Sequence, residues 1–155
     1  MLRPYQQQAI DAVRAAYLRK ARAVLLVLPT GGGKTLTAST MVGAAVAKGK
    51  SVLWLAGRRE LIDQAAAAMP VRAGVIMAGR PVDRASPVQV ASIDSILARG
   101  EYPPADLVVY DESHHVVSKT SRQLLNHYPG AHVLGLTATP ERADGTALGD
   151  VFDEM

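Results

Sequence analysis

Cysteine is absent from the chain, which excludes a disulfide framework and any thiolate-bound metal centre. Aromatic residues are scarce at 5% of the total: one tryptophan, one phenylalanine and five tyrosines. Few rings are left for stacking nucleobases once a core is filled, so any nucleic-acid contact should be directed at the backbone and tolerant of sequence. No apolar run approaches the roughly 18 residues a membrane-spanning helix needs. The opening MLRPYQQQAI lacks the apolar stretch of a secretion signal. Internal repeats and low-complexity tracts are missing too. These absences point to a cytoplasmic protein without a membrane partner.

What is present is globular. The chain has 155 residues, 48% hydrophobic and 20% charged, long enough for one domain with a core and short for two. A net charge of +3 permits contact with nucleic acid without requiring it.

Six short apolar runs recur along the chain: AVLLVLP (23–29), SVLWLA (51–56), GVIMA (74–78), PVQVAS (87–92), DLVVYD (106–111) and HVLGLT (132–137). They are rich in valine, leucine and isoleucine and do not alternate with polar residues, as expected of parallel strands covered on both faces. Trp54 and Tyr110 lie inside two of them and read as core. Amphipathic stretches separate the runs. Residues 4–20 place Ala9, Ile10, Val13 and Tyr17 on one helical face, with Pro4 suited to the first turn. Residues 34–48 do the same with Ala38, Met41, Val42 and Ala45, and residues 58–69 with Leu61, Ile62, Ala65 and Met69. Strands alternating with helices predict an α/β fold with a predominantly parallel sheet and helices on both faces. GRPVDRASP (79–87) reads as a surface loop.

LPTGGGKT (28–35) follows one predicted strand and enters a predicted helix, the setting of a phosphate-binding loop. Thr30, Gly31, Gly32 and Gly33 let backbone N–H groups turn inward around phosphate oxygens, and the helix N-terminus adds partial positive charge. Lys34 reaches the outer phosphates and the Thr35 hydroxyl holds Mg²⁺. Leu28 stands where the general pattern opens with glycine.

LVVYDESHH (107–115) ends a predicted strand in two carboxylates. Asp111 can hold Mg²⁺ through water, and Glu112 can orient or deprotonate an attacking water. Lys34, Asp111 and Glu112 are therefore the candidate catalytic residues. His114 and His115 are adjacent and point about 100° apart on a helix, so they do not converge on one ion.

The motifs in this order, PTGGGKT then DESH, resemble the first RecA-like domain of superfamily-two helicases and translocases. The closest branch is the DEAD/DEAH-box one that includes restriction-enzyme motor subunits. The resemblance spans nearly the whole chain, and in that family the loop often lacks its opening glycine, so Leu28 is a marker of the branch. It implies an ATP-binding, P-loop, DEAH-box hydrolase with ATP and Mg²⁺ as cofactors. LRPYQ (2–6) resembles the adenine-reading element, which implies that Gln6, with Arg3, contacts the base; taken alone, a glutamine in a first helical turn is simply solvated. AGRRELIDQ (56–64) resembles the next motif, implying backbone contacts from Arg58 and Arg59, which could equally be an ordinary charged helix start. QVASIDSIL (89–97) resembles a later backbone-binding motif with Ser92 as its hydroxyl, and a serine there could equally cap the next helix. LTATP (136–140) resembles motif III, implying that Thr137 and Thr139, with His114, couple the nucleotide to the nucleic-acid surface.

Such engines use two RecA-like domains, and the chain runs out at GTALGDVFDEM soon after motif III. The expectation is a single RecA-like helicase ATP-binding domain over 1–155, with the second RecA-like domain supplied in cis or in trans. Alone it should bind Mg-ATP weakly, hydrolyse it poorly and leave a duplex unopened. The partner is nucleic acid, DNA favoured over RNA. A stand-alone ATP-binding regulatory module is the competing reading; a P-loop kinase would need a lid and an acceptor pocket, for which the sequence offers no segment.

Overall fold

The computed structural model describes residues 4–18, 23–27, 34–56, 59–69, 73–76, 85–100, 102–111 and 126–137. Its elements in chain order are α1 (Pro4–Leu18), β1 (Ala23–Val27), α2 (Lys34–Ala47), β2 (Val52–Ala56), α3 (Arg59–Ala68), β3 (Gly74–Ile76), β4 (Val88–Ser92), α4 (Ile93–Arg99), β5 (Leu107–Asp111) and β6 (His132–Thr137). All six apolar runs contain strands. Helix α1 covers Pro4–Leu18 of the expected 4–20 and β3 covers Gly74–Ile76 of the expected 74–78; residues 19–20 and 77–78 lie outside the described residues. Of the expected loop 79–87, residues 85–87 form irregular structure leading into β4, and the rest lies outside the described residues.

The strands form one sheet in the order β1-β6-β5-β2-β4-β3, and every described pairing is parallel. Parallel strands cannot be joined by a tight turn, and α2, α3 and α4 carry the chain from β1 to β2, from β2 to β3 and from β4 to β5. All five residues of β2 and of β5 are buried, which is why these runs carry no polar alternation.

Side-chain alternation then divides the core in two. Val52, Trp54 and Ala56 of β2, with Leu107, Val109, Leu134 and Leu136, face a layer that includes Ile10 and Val13 of α1, Ala38, Met41 and Val42 of α2, and Ile62 and Ala65 of α3. Leu53 and Leu55, with Val108, Tyr110 and Val133, face Ile96 of α4 and Tyr128. Trp54 and Tyr110 are thus both core, as read from the sequence, but in opposite layers. Burying a large apolar side chain contributes about 1.5–3 kcal/mol, so these two layers supply the main driving force.

The amino edge of the sheet is pinned by polar contacts. Ser51 N–H donates to Asp106 Oδ2 at 3.0 Å. Asp106 and Leu107 N–H donate back to Ser51 O at 2.8 and 3.2 Å, and His132 N–H donates to Asp106 O at 3.0 Å. Tyr128 O–H donates to Pro103 O at 2.7 Å; burial, with Tyr102 nearby, pushes its phenol up to about 12, so the donor proton stays in place at neutral pH.

Helix α4 shows both its stop signals. Gly100 adopts a left-handed φ of 65° and its N–H bonds the Ile96 carbonyl, the usual glycine termination. A Cβ built there meets nothing within 4 Å, so a side chain would be opposed only by backbone conformation. Gly100→Ala should therefore lower stability by about 1 kcal/mol, read as a shift of the urea midpoint at unchanged slope. Gly100→Asn should recover part of it, since asparagine tolerates this conformation.

Candidate functional site

Because the strands are parallel, their carboxyl ends share one edge, where open α/β sheets bind ligands. The registers order that edge. Val27 of β1 lies beside Thr137 of β6, and Leu136 lies beside Asp111 of β5. Further along, Ala56 of β2 pairs with Ser92 of β4. The glycine loop, the acidic segment and LTATP follow or include Val27, Asp111 and Thr137 in the chain, and AGRRELIDQ and QVASIDSIL include Ala56 and Ser92.

The order of strands sets the spacing. Strand β6 separates β1 from β5, so the strand feeding the glycine loop and the strand ending in Asp111 are two intervals apart, about 10 Å. That gap accommodates a chain of phosphates and a hydrated cation, with Thr137 at its midpoint. Asp111 is 5% exposed and engaged in a polar contact. A buried carboxylate needs such partners, because an unpaired one is expensive to desolvate.

Helix α2 begins at Lys34, seven positions after Val27, the last residue of β1. Its first-turn N–H groups have no intrahelical acceptors and face the same edge, together with the positive end of the helix dipole. Thr35, in that first turn, is half-buried. Lys34, Arg59 and Thr137 are placed as backbone positions: the first residue of α2, the first of α3 and the last of β6. Arg3, Thr30, Gly31, Gly32, Gly33, Arg58, Glu112, His114 and Thr139 lie outside the described residues.

Gln6 departs from the solvated state expected of an isolated glutamine. It is 3% exposed and engaged in a contact, on the same stripe of α1 as Ile10 and Val13. For Ser92 the capping alternative is what the structure contains: it is the N-cap of α4, and its hydroxyl accepts from Ser95 N–H at 3.4 Å. Capping uses one lone pair, and the O–H remains a donor in kind.

Two features escaped the motif-based reading. Thr37 in α2 is fully buried, with a hydroxyl that has no hydrogen-bond partner among the described residues. Tyr17, read as part of an apolar face, also donates its O–H to the Val133 carbonyl at 2.9 Å. Neither has a sequence signal, since each depends on what another element brings to it.

Known proteins bear on this arrangement. Residues 1–142 match the family model described as type III restriction enzyme, res subunit. The chain is 32% identical over 178 residues to the candidate ATP-dependent helicase IRC3 of Saccharomyces cerevisiae, all of it aligning to 26% of that protein. It is 33% identical over 153 residues to the DNA 3'-5' translocase XPB2 of Sulfurisphaera tokodaii, with 93% of this chain and 32% of the relative covered. It thus spans about a quarter to a third of these relatives. Among solved structures, a nuclease-deletion mutant of the type ISP restriction-modification enzyme LlaGI, bound to a DNA substrate mimic, superposes with a TM-score of 0.73. The identity is 18%, and the match covers 100% of this chain and 20% of that one; the likeness is one of fold.

The capping role of Ser92 is separable by substitution. Ser92→Ala should cost about 1 kcal/mol of unfolding free energy, whereas Ser92→Asp, which can also cap, should cost little. Equal losses for both variants in urea denaturation would remove the cap as the explanation.

Proposed function

We propose a function from one premise: the chain belongs to the type III restriction enzyme res subunit family, and its fold is the first RecA-like domain of superfamily-two helicases and translocases. Its role is the ATP-binding half of a nucleic-acid-dependent motor. The observation that carries this reading is the shared edge, where the end of β1, which feeds the glycine loop, the end of β6 and Asp111 stand in consecutive strand positions.

In this reading the phosphates rest on the glycine loop and the first N–H groups of α2, with the Lys34 ammonium against the outer phosphates. The residues fit Mg²⁺ in kind. Thr35 hydroxyl and Asp111 carboxylate are hard oxygen donors, and one carboxylate plus phosphates and water is the usual magnesium set. Mg²⁺, when bound, neutralises charge on the transferred phosphoryl group. Glu112, next in chain to Asp111, orients the attacking water and accepts its proton. Gln6, with Arg3, contacts adenine, since an amide both donates to and accepts from its edge. Thr137, Thr139 and His114 relay nucleotide state to the nucleic-acid surface, where Arg58, Arg59 and Ser92 meet the backbone.

The names of the relatives, a DNA translocase and a DNA-bound restriction enzyme, support DNA over RNA. A second RecA-like domain, in cis or in trans, completes the site with arginines that stabilise transition-state charge, a contribution of about 10³–10⁵ in rate in related enzymes. A cytoplasmic setting belongs to the same proposal; among the described residues no helix is long and apolar enough to cross a membrane.

A steady-state ATPase assay of the 155-residue chain should show slow turnover that DNA barely accelerates. Vigorous DNA-stimulated hydrolysis would overturn the two-domain requirement. Glu112→Gln should lower the residual turnover by about 100-fold and leave ATP affinity nearly intact. Unchanged turnover would instead favour the stand-alone ATP-binding regulatory module.

A further inference from the structure

The helix that carries Gln6 is attached to the sheet by two unlike kinds of contact. Its buried stripe is Gln6, Ile10, Val13 and Ala16, of which Ile10, Val13 and Ala16 belong to the apolar layer shared with α2 and β1. Apolar burial is non-directional and resists sliding or rolling only weakly. Near the other end of the helix, Tyr17 makes a directional contact. Its O–H donates to the Val133 carbonyl at 2.9 Å, and its ring lies 4.4 Å from that of His132, tilted by 36°.

The acceptor is firmly held. Val133 is paired with Ala23 of β1 on one side and Val108 of β5 on the other, and a carbonyl has lone pairs for two donors. His132 is itself fastened to Asp106 through its N–H. Burial pushes the Tyr17 phenol upward, so it remains a donor at neutral pH.

Helix geometry connects this anchor to Gln6. Positions 6 and 17 are eleven residues apart, which at about 100° per residue returns to within about 20° of the same face. The rise over that interval is about 16 Å. Strand β6 covers about 13 Å from Val133 to Thr137 at roughly 3.3 Å per residue. A helix anchored at the amino edge therefore has the length to present Gln6 at the level of the carboxyl edge. Fixing the azimuth and height of Tyr17 fixes those of Gln6.

We propose that Tyr17 is a positioning residue for adenine selection: its bond to Val133 sets the register of α1 and so aims Gln6 at the base. This rests on the reading of Gln6 as the adenine contact. The same strand that anchors Tyr17 ends in Thr137, so base selection and the phosphate edge share one rigid reference.

The test compares ATP and GTP affinities, by calorimetry, for the unmodified chain and for Gln6→Ala, Tyr17→Phe and the double variant. Tyr17→Phe keeps the ring and removes the donor. It should reduce the preference for ATP over GTP by roughly three- to tenfold, the range spanned by one hydrogen bond, and add nothing once Gln6 is gone. Replacing Tyr17 with p-aminophenylalanine, which restores a para donor, should recover the preference. If Gln6→Ala lowers the preference and Tyr17→Phe only lowers the melting temperature, the positioning role is overturned while the adenine reading stands. If Gln6→Ala leaves the preference unchanged, the adenine reading fails and the proposal with it. Should Tyr17→Phe not fold, p-fluorophenylalanine in place of Tyr17 fills the para position without a donor and must shift the preference in the same direction.

Discussion

The placement of β6 between β1 and β5 is the constraint on which the rest of this structure depends. Parallel pairing on both sides brings three carboxyl ends, Val27, Thr137 and Asp111, to one edge in fixed order. Had β5 paired directly with β1, the glycine loop and the acidic strand end would lie a single interval apart, about 5 Å, too close for phosphates and a hydrated cation between them. The inserted strand makes the room and puts a threonine at its midpoint.

That placement depends in turn on burial. β6 and β5 lie inside the sheet, so the middles of these strands are covered on both faces and apolar: Leu134 and Leu136 face one layer, Val133 the other. Polar groups are admitted where they have work or partners. Asp111 and Gln6 are buried and engaged, and the amino edge is held by the contacts among Ser51, Asp106 and His132. Thr37 is an exception, a fully buried hydroxyl without a hydrogen-bond partner among the described residues; such a group costs about 1–3 kcal/mol.

Much of the fold was legible because its signals are local. The six apolar runs lack polar alternation, which marks strands buried on both faces, and each contains an observed strand. The stripes Ile10–Val13, Ala38–Met41–Val42 and Ile62–Ala65 follow helical periodicity and all are buried. Ser92 remained ambiguous between cap and ligand because both need the same hydroxyl at the same strand end; the Ser95 N–H contact is a local geometry that spacing alone leaves open. For Gln6 the solvated alternative is the one that burial removes; helical position says nothing about which neighbour covers a residue, so spacing left it open.

Local sequence sufficed for the classes of element and for the residue types offered at the edge: glycines leading into Lys34 and Thr35 at a helix start, Asp111 at the end of one strand and Thr137 at the end of another. These follow from backbone and side-chain properties that act over a few residues. The strand order emerges only in the folded sheet, and with it the spacing between the strand end that feeds the glycine loop and Asp111. The tertiary structure also decided that Trp54 and Tyr110 occupy opposite layers and that Tyr17 reaches Val133 across 116 positions of sequence. The physical reason is the same in each case: a hydrogen-bonded register or a covered face belongs to two segments at once, and neither segment encodes its partner.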